Sequence, residues 1–309
     1  MLSRTADHLY WMARYTERAE NVARLLDVTY RMSLLPHNES PGYWAAALSS
    51  NGIEQAYRDK FGAFDAANVV RFMVLDDDNP SSIRACLNAA RENAHAVRGT
   101  ITSETWETLN STWLEMRDVK PAQLQGSGMT NLFEWVKFRS HLSRGVTVGT
   151  MLRDEAFQFV RLGTFLERAD NTSRILDVRY DELAPPPQPG MEYYEWGALL
   201  RSVSAFEIYR RVYRDVITPA RVAELLILRV DMPRSLHACM DEVYPILRAI
   251  SNSQSAETER LAGELHAQLR FGRMEDIFRR GLHHWITEFL ERTADLGNRI
   301  GADFLVPVH

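Results

Sequence analysis

Apolar residues recur at helical spacing along nearly the whole chain, and no stretch shows sustained alternation with a period of two. Over residues 4–33 the apolar set is Leu9, Met12, Ala19, Val22, Ala23 and Leu26, which predicts a long helix capped by Ser3 or Thr5. Pro36 should end it, with HNESPG following as a loop. Residues 43–62 predict a second helix, closed by Gly62. A short helix near 64–75 should run into Asp76-Asp77-Asp78-Asn79-Pro80, where Pro80 suits the first turn of the next helix. Further helices are predicted over 81–98, 102–118, 129–150, 153–183 and 274–304, with the clearest linker at APPPQPG. The pattern is that of an all-α protein, a single bundle of about 10–12 helices.

The first helix contains a stretch that returns. Laying Glu17–Tyr30 on Glu167–Tyr180 gives 9 identities in 14, and FLERTADLGNRI at 289–300 brings a third Glu-Arg pair. Trp44 and Trp196 lie 152 residues apart. Leu75, Pro80, Ser82, Ala85 and Cys86 match Leu228, Pro233, Ser235, Ala238 and Cys239, each 153 residues on. These anchors predict an internal duplication, approximately 1–150 and 151–273, with a third, truncated unit over 274–309, all within one domain spanning 1–309.

On a helical wheel, Glu17, Glu20, Asn21, Arg24 and Asp27 share an arc of roughly 120°. The second copy places Glu167, Asp170, Asn171, Arg174 and Asp177 on the same arc, and the third places Glu291, Asp295 and Asn298 there. Arg18, Arg168 and Arg292 project instead into the apolar side, where an unpaired guanidinium is costly. Carboxylates on adjoining Glu-Arg helices are their natural partners. Three readings of the arc stay open: a solvated face of i,i+4 pairs with snorkelling Arg side chains, a polar network inside the bundle, or a ligand or catalytic site. Solvated faces keep charge more than identity, whereas Glu, Asn, Arg and Asp all recur here.

As a site, the arc offers Glu17, Glu167 and Glu291 as catalytic candidates, a buried Glu acting as general acid or base with Arg stabilising an anion. Arg18, Glu20, Asn21, Arg24, Arg168, Asp170, Asn171, Arg174 and Arg292 are the candidates for substrate binding. Arg144 and Arg153 join them from the Arg-dense stretch 141–163, where Gly145, Gly149 and Gly163 would allow close helix packing or the approach of a ligand.

Charge and composition narrow the choice. A net charge of −5 argues against general nucleic-acid binding. Only Lys60, Lys120 and Lys137 are lysines, so 33 of 36 cations are Arg, through codon usage or because the guanidinium fork suits carboxylates. Cys86 and Cys239 have no metal-ligand spacing and read as reduced core residues of a cytoplasmic protein. MLSRTADHLYWMARYTER lacks the apolar run of a signal peptide, and no segment has the length and apolarity of a membrane span. No cofactor or metal is expected. Glu17-x-x-Glu20 places two carboxylates one turn apart, but the Glu-x-x-His of a di-metal bundle is missing. Asp76-Asp77-Asp78-Asn79 reads as a capped loop rather than a Mg²⁺ motif, and His141 and His283-His284 lack ligand spacing. No nucleophile–base pair or phosphate loop is present.

HLYWMARYTERAENVARLLD, GTMLRDEAFQFVRLGTFLERADNTSRILDVRY and MPRSLHACM together resemble the bacterial alpha-E domain family, an all-helical domain with recurring Glu-Arg motifs. The resemblance covers essentially the whole chain and maps the family's pairs to Glu17-Arg18, Glu167-Arg168 and Glu291-Arg292, with Thr293 replacing Ala in the third. It implies a setting beside circularly permuted ATP-grasp ligases, transglutaminase-like peptidases and a proteasome-like hydrolase. The expected role is that of an accessory partner of an amide ligase, holding an amino-acid or peptide carboxylate in a groove lined by the Glu-Arg helices. An enzyme in its own right and a purely structural scaffold are the alternatives.

Overall fold

A computed structural model describes residues 1–34, 42–182 and 192–305. The loop expected at HNESPG, apart from Gly42, and the linker APPPQPG lie outside the described residues. Fifteen α-helices and no strand occur among the described residues, against the 10–12 helices expected. The chain divides into two compact units, Met1–Thr164 and Phe165–His309.

In the first unit α1 (Ser3–Ser33) is followed by α2 (Gly42–Ser49), α3 (Glu54–Phe61), α4 (Ala66–Leu75), α5 (Ile83–Ala96), α6 (Ser103–Arg117) and α7 (Gly126–Thr150). α8 (Glu155–Glu182) begins in this unit and continues into the next. The second unit adds α9 (Glu192–Ser202), α10 (Phe206–Tyr213), α11 (Pro219–Ile227), α12 (Leu236–Ala249), α13 (Ala256–Arg270), α14 (Met274–Arg280) and α15 (Leu282–Phe304). Two of the extra helices come from breaks. Gly52 at φ 66° separates α2 from α3, and Gly281 at φ 86° separates α14 from α15; both conformations favour glycine. Periodicity alone passes over such breaks because the apolar spacing resumes beyond them.

Two cap expectations also change. Leu2 precedes α1 and no side chain caps it. Pro80 stands two residues before the cap of α5, which is Ser82, accepting from the Ala85 N–H. The acidic loop is neutralised from within. Lys60 bonds Asp76 and Asp78 at 2.8–2.9 Å, and Arg84 bonds both oxygens of Asp77. The hydrogen bond from Lys60 holds the Asp78 carboxyl below its ordinary range.

α1 is the axis of the first unit, packed on α5 and α7, while α6 bridges those two. Its apolar side, with Ala19, Val22, Leu25 and Leu26, enters a core with Tyr57, Met73, Ile83 and Phe133. In the second unit α12 pairs with α13, which packs on α15. α5 and α12 each have 14 residues and start 153 residues apart, as do α6 and α13 with 15 residues each. Ser235 caps α12 on Ala238 as Ser82 caps α5 on Ala85. Tyr57 accepts from the Asp65 N–H, and Tyr209 accepts from the Thr218 N–H, just before the helices that follow. Cys86 and Cys239 are buried. Among the described residues no helix is long and apolar enough to cross a membrane.

Of the three glycines singled out in the sequence, only Gly163 makes a close approach. A Cβ there would lie 2.3 Å from the Tyr10 carbonyl oxygen, whereas at Gly145 or Gly149 it would meet nothing within 4 Å. Gly163→Ala should therefore lower stability by about 1–3 kcal/mol. Gly145→Ala, inside α7, should raise it by about 0.5–1 kcal/mol. Urea unfolding of the two variants checks the opposite signs.

Candidate functional site

The polar arc of α1 is not a solvated face. Glu17, Glu20 and Asp27 are 1%, 0% and 5% exposed, and Asn21 is buried with them. They face α7, whose Lys137, Ser140, His141 and Arg144 follow the i, i+3, i+4, i+7 spacing of one helix face. Arg144 Nη1 donates to Glu17 Oε2 at 2.8 Å and to Glu20 Oε2 at 2.6 Å. The Ser140 hydroxyl donates to the same Glu20 oxygen at 2.7 Å. Arg24 Nε donates to the other Glu20 oxygen at 2.8 Å from one turn along α1. Further along, Lys137 and Arg31 both bond Asp27 at 2.9 Å.

This arrangement is chemically directional. Buried carboxylates need charged partners, and α1 and α7 supply them. The cations are longer and reach outward. Arg144 spends only Nη1 on the protein, and among the described residues its Nη2 and Nε make no hydrogen bond. Its side chain is 29% exposed. Arg24 Nη2 donates to His141 Nε2 at 2.9 Å, and His141 is largely exposed. His141 Nε2 also lies 3.5 Å from Glu20 Oε1. A guanidinium N–H only donates, so His141 Nε2 is the acceptor in the shorter contact.

The second copy is organised differently. Glu167 and Arg168 are buried, whereas Asp170, Asn171 and Arg174 are half-buried. Arg174 holds Asp170 with two bonds of 2.8 and 3.1 Å, and His283 of α15 bonds Asp177 at 2.7 Å. Arg168 lies over the Phe165 ring and donates to the Pro233 carbonyl at 3.4 Å. The positions 153 residues beyond Ser140 and Arg144 are Thr293 and Gly297. Thr293 is buried, and a Cβ at Gly297 would meet Leu166 at 3.7 Å. An α15 with glycine in place of the arginine brings no cation to this face from that position.

The third motif departs furthest. Glu291, expected as a buried catalytic carboxylate, is exposed, as are Asp295 and Asn298, so that arc is solvated. Arg292 bonds Gln268 at 2.6 Å and Glu264 at 3.3 Å, both on α13, rather than a carboxylate of another Glu-Arg helix. Its counterpart 153 residues earlier is Arg139 of α7, which reaches α6 through Thr112 and Ser111 as Arg292 reaches α13. Position in the unit thus aligns α15 with α7, not with α1. Arg18 is half-buried over the Tyr15 ring, and Arg153 is exposed between α7 and α8. Lys137, Ser140 and His141 were not among the expected site residues. Their one-face spacing was visible, but only the packing of α7 on α1 gives it meaning.

The chain matches, over residues 1–305, the profile of the Alpha-E family, described as a predicted alpha-helical domain with a conserved ER motif, and it belongs to that family. It is 26% identical over 294 residues to the uncharacterized proteins Rv2567 of Mycobacterium tuberculosis and Mb2597 of Mycobacterium bovis. The match covers 89% of this chain and 33% of each relative, so the chain spans about a third of the length of the curated relatives it matches. No solved structure matches.

Removing Arg144 takes a guanidinium away from two buried carboxylates. Arg144→Met should destabilise the protein by about 3–5 kcal/mol. Arg174→Ala, which opens a half-exposed i,i+4 pair, should cost no more than about 0.5 kcal/mol. Equal shifts in chemical denaturation would contradict the assignment.

Proposed function

We propose that this protein is a carboxylate-binding accessory partner of an amide ligase of the ATP-grasp type. The α1–α7 cluster would hold the carboxylate of an amino acid or peptide. The observation that carries this reading is the Nε/Nη2 edge of Arg144. Glu17 and Glu20 hold the opposite corner of the guanidinium, so its orientation is set before any ligand arrives. The edge left over has the parallel N–H pair that matches a carboxylate bidentately. Arg24 and His141 meet at the other oxygen of the same Glu20 carboxylate and add further donors or acceptors. The great length of the curated relatives beyond the matched segment agrees with a domain that works alongside others. The two units are best understood as copies of one ancestral unit, supported by helix pairs of equal length set 153 residues apart.

A second reading has its own support. Glu20 accepts from Arg24, Arg144 and Ser140, which is the saturation expected of a lock between helices. Arg144→Lys separates the two. Lysine keeps a cation for the glutamates but lacks the fork. Titrating alanyl-glutamate and its bis-amide by calorimetry should show the acid binding at least about tenfold tighter. Arg144→Lys should abolish that preference while leaving the fold intact. Equal affinity for acid and amide, or a preference untouched by Arg144→Lys, leaves only the lock. An unchanged turnover of the cognate ligase when this protein is omitted would refute the partnership.

A further inference from the structure

α12 and α13 bring together a trio that lies apart from the Glu-Arg motifs. His237 and Asp241 stand one turn apart on α12, and His266 projects from α13. One ligand atom from each lies within 4.8 Å of the others. His266 Nε2 is 3.0 Å from Asp241 Oδ1. His266 is 8% exposed and stacks on Tyr244, with ring centroids 5.4 Å apart, so its plane is fixed. His237 Nδ1 is 2.8 Å from the Leu228 carbonyl oxygen. A carbonyl only accepts, so Nδ1 carries the proton, and Nε2 of the neutral ring keeps its lone pair for a ligand. A backbone carbonyl orienting a ligating histidine in this way is the usual outer support of a metal site.

We propose that His237, Asp241 and His266 form a binding site for a first-row divalent cation, zinc above all. Two imidazoles and one carboxylate suit zinc, and three protein ligands leave a fourth position for water or a ligand. Metal–ligand distances of about 2.0–2.1 Å put tetrahedral ligand atoms roughly 3.3 Å apart. The His266–Asp241 separation is already within a few tenths of that value. Asp241 is half exposed, which gives an ion a way in. Tyr244 also lines a surface groove of about 460 Å³ with Arg260 and Glu264.

The fold does not itself demand these side chains. Helices α5 and α6 have the same lengths as α12 and α13, and the same serine cap begins α5 and α12. Yet 153 residues earlier the three positions carry Arg84, Asn88 and Trp113. Arg84 there pairs with Asp77. The trio is therefore a property of the second unit, not of the helical scaffold.

The test uses the purified full chain, stripped with chelator and titrated with Co²⁺. One equivalent should give the visible absorption of a low-symmetry cobalt site, and one equivalent of Zn²⁺ should displace it. His237→Gln and Asp241→Asn should each weaken Co²⁺ binding by about tenfold or more. Asp241 is half exposed, so its replacement should leave the metal-free melting temperature within about two degrees. His284→Gln should leave cobalt binding unchanged. Absence of a saturable signal at one equivalent, survival of the signal in both site variants, or its loss in His284→Gln would each overturn the proposal.

Discussion

Two carboxylates with no access to water constrain the first unit more than any other feature. Glu17 and Glu20 sit on the longest helix among the described residues, and on α1 itself Arg24 reaches Glu20. Left otherwise unpaired, each would cost several kcal/mol. Helix α7 must therefore present Ser140 and Arg144 at one register and no other, because a helical step would turn both away. The apolar side of α1 gives the unit its core. The polar side gives it a specified alignment, which apolar packing, being non-directional, supplies less strictly.

The second unit holds its polar face differently. Where α7 carries Ser140 and Arg144, α15 carries Thr293 and Gly297, and α8 meets α15 through Leu166 and through the Asp177–His283 bond. Asp170 is served by Arg174 on its own helix. Two units with closely matched helix lengths have thus come to hold their charges differently. The first concentrates cations at the edge of a buried acidic pair, and the second gathers imidazoles where α12 meets α13. Different chemistry on matching scaffolds fits the rule that function lives in sites set on a fold rather than in the fold.

The Glu-Arg motif is accordingly not one thing. At Glu17 the acid is buried and its neighbouring arginine half-buried. At Glu167 both are buried, and at Glu291 the acid is exposed while Arg292 serves as a tie to α13. Identical letters reach different environments because burial depends on what packs against the face.

Period and punctuation within the sequence determined the all-α class and the extent of α1 and α4–α8. These follow from local rules: apolar spacing, proline and glycine, and a repeated string of polar letters. The same rules put Glu17, Glu20 and Arg24 on one face and placed Arg144 among the candidates. Tertiary structure alone decided that this face is buried, that Arg144 is its partner across 124 to 127 residues, and that Glu291 is not its equivalent. It alone brought His266 to His237 and Asp241. The reason is physical. Helical period states which residues share a face, but the free energy of a charge depends on the dielectric and the donors supplied by another helix, and those are absent until the chain has packed.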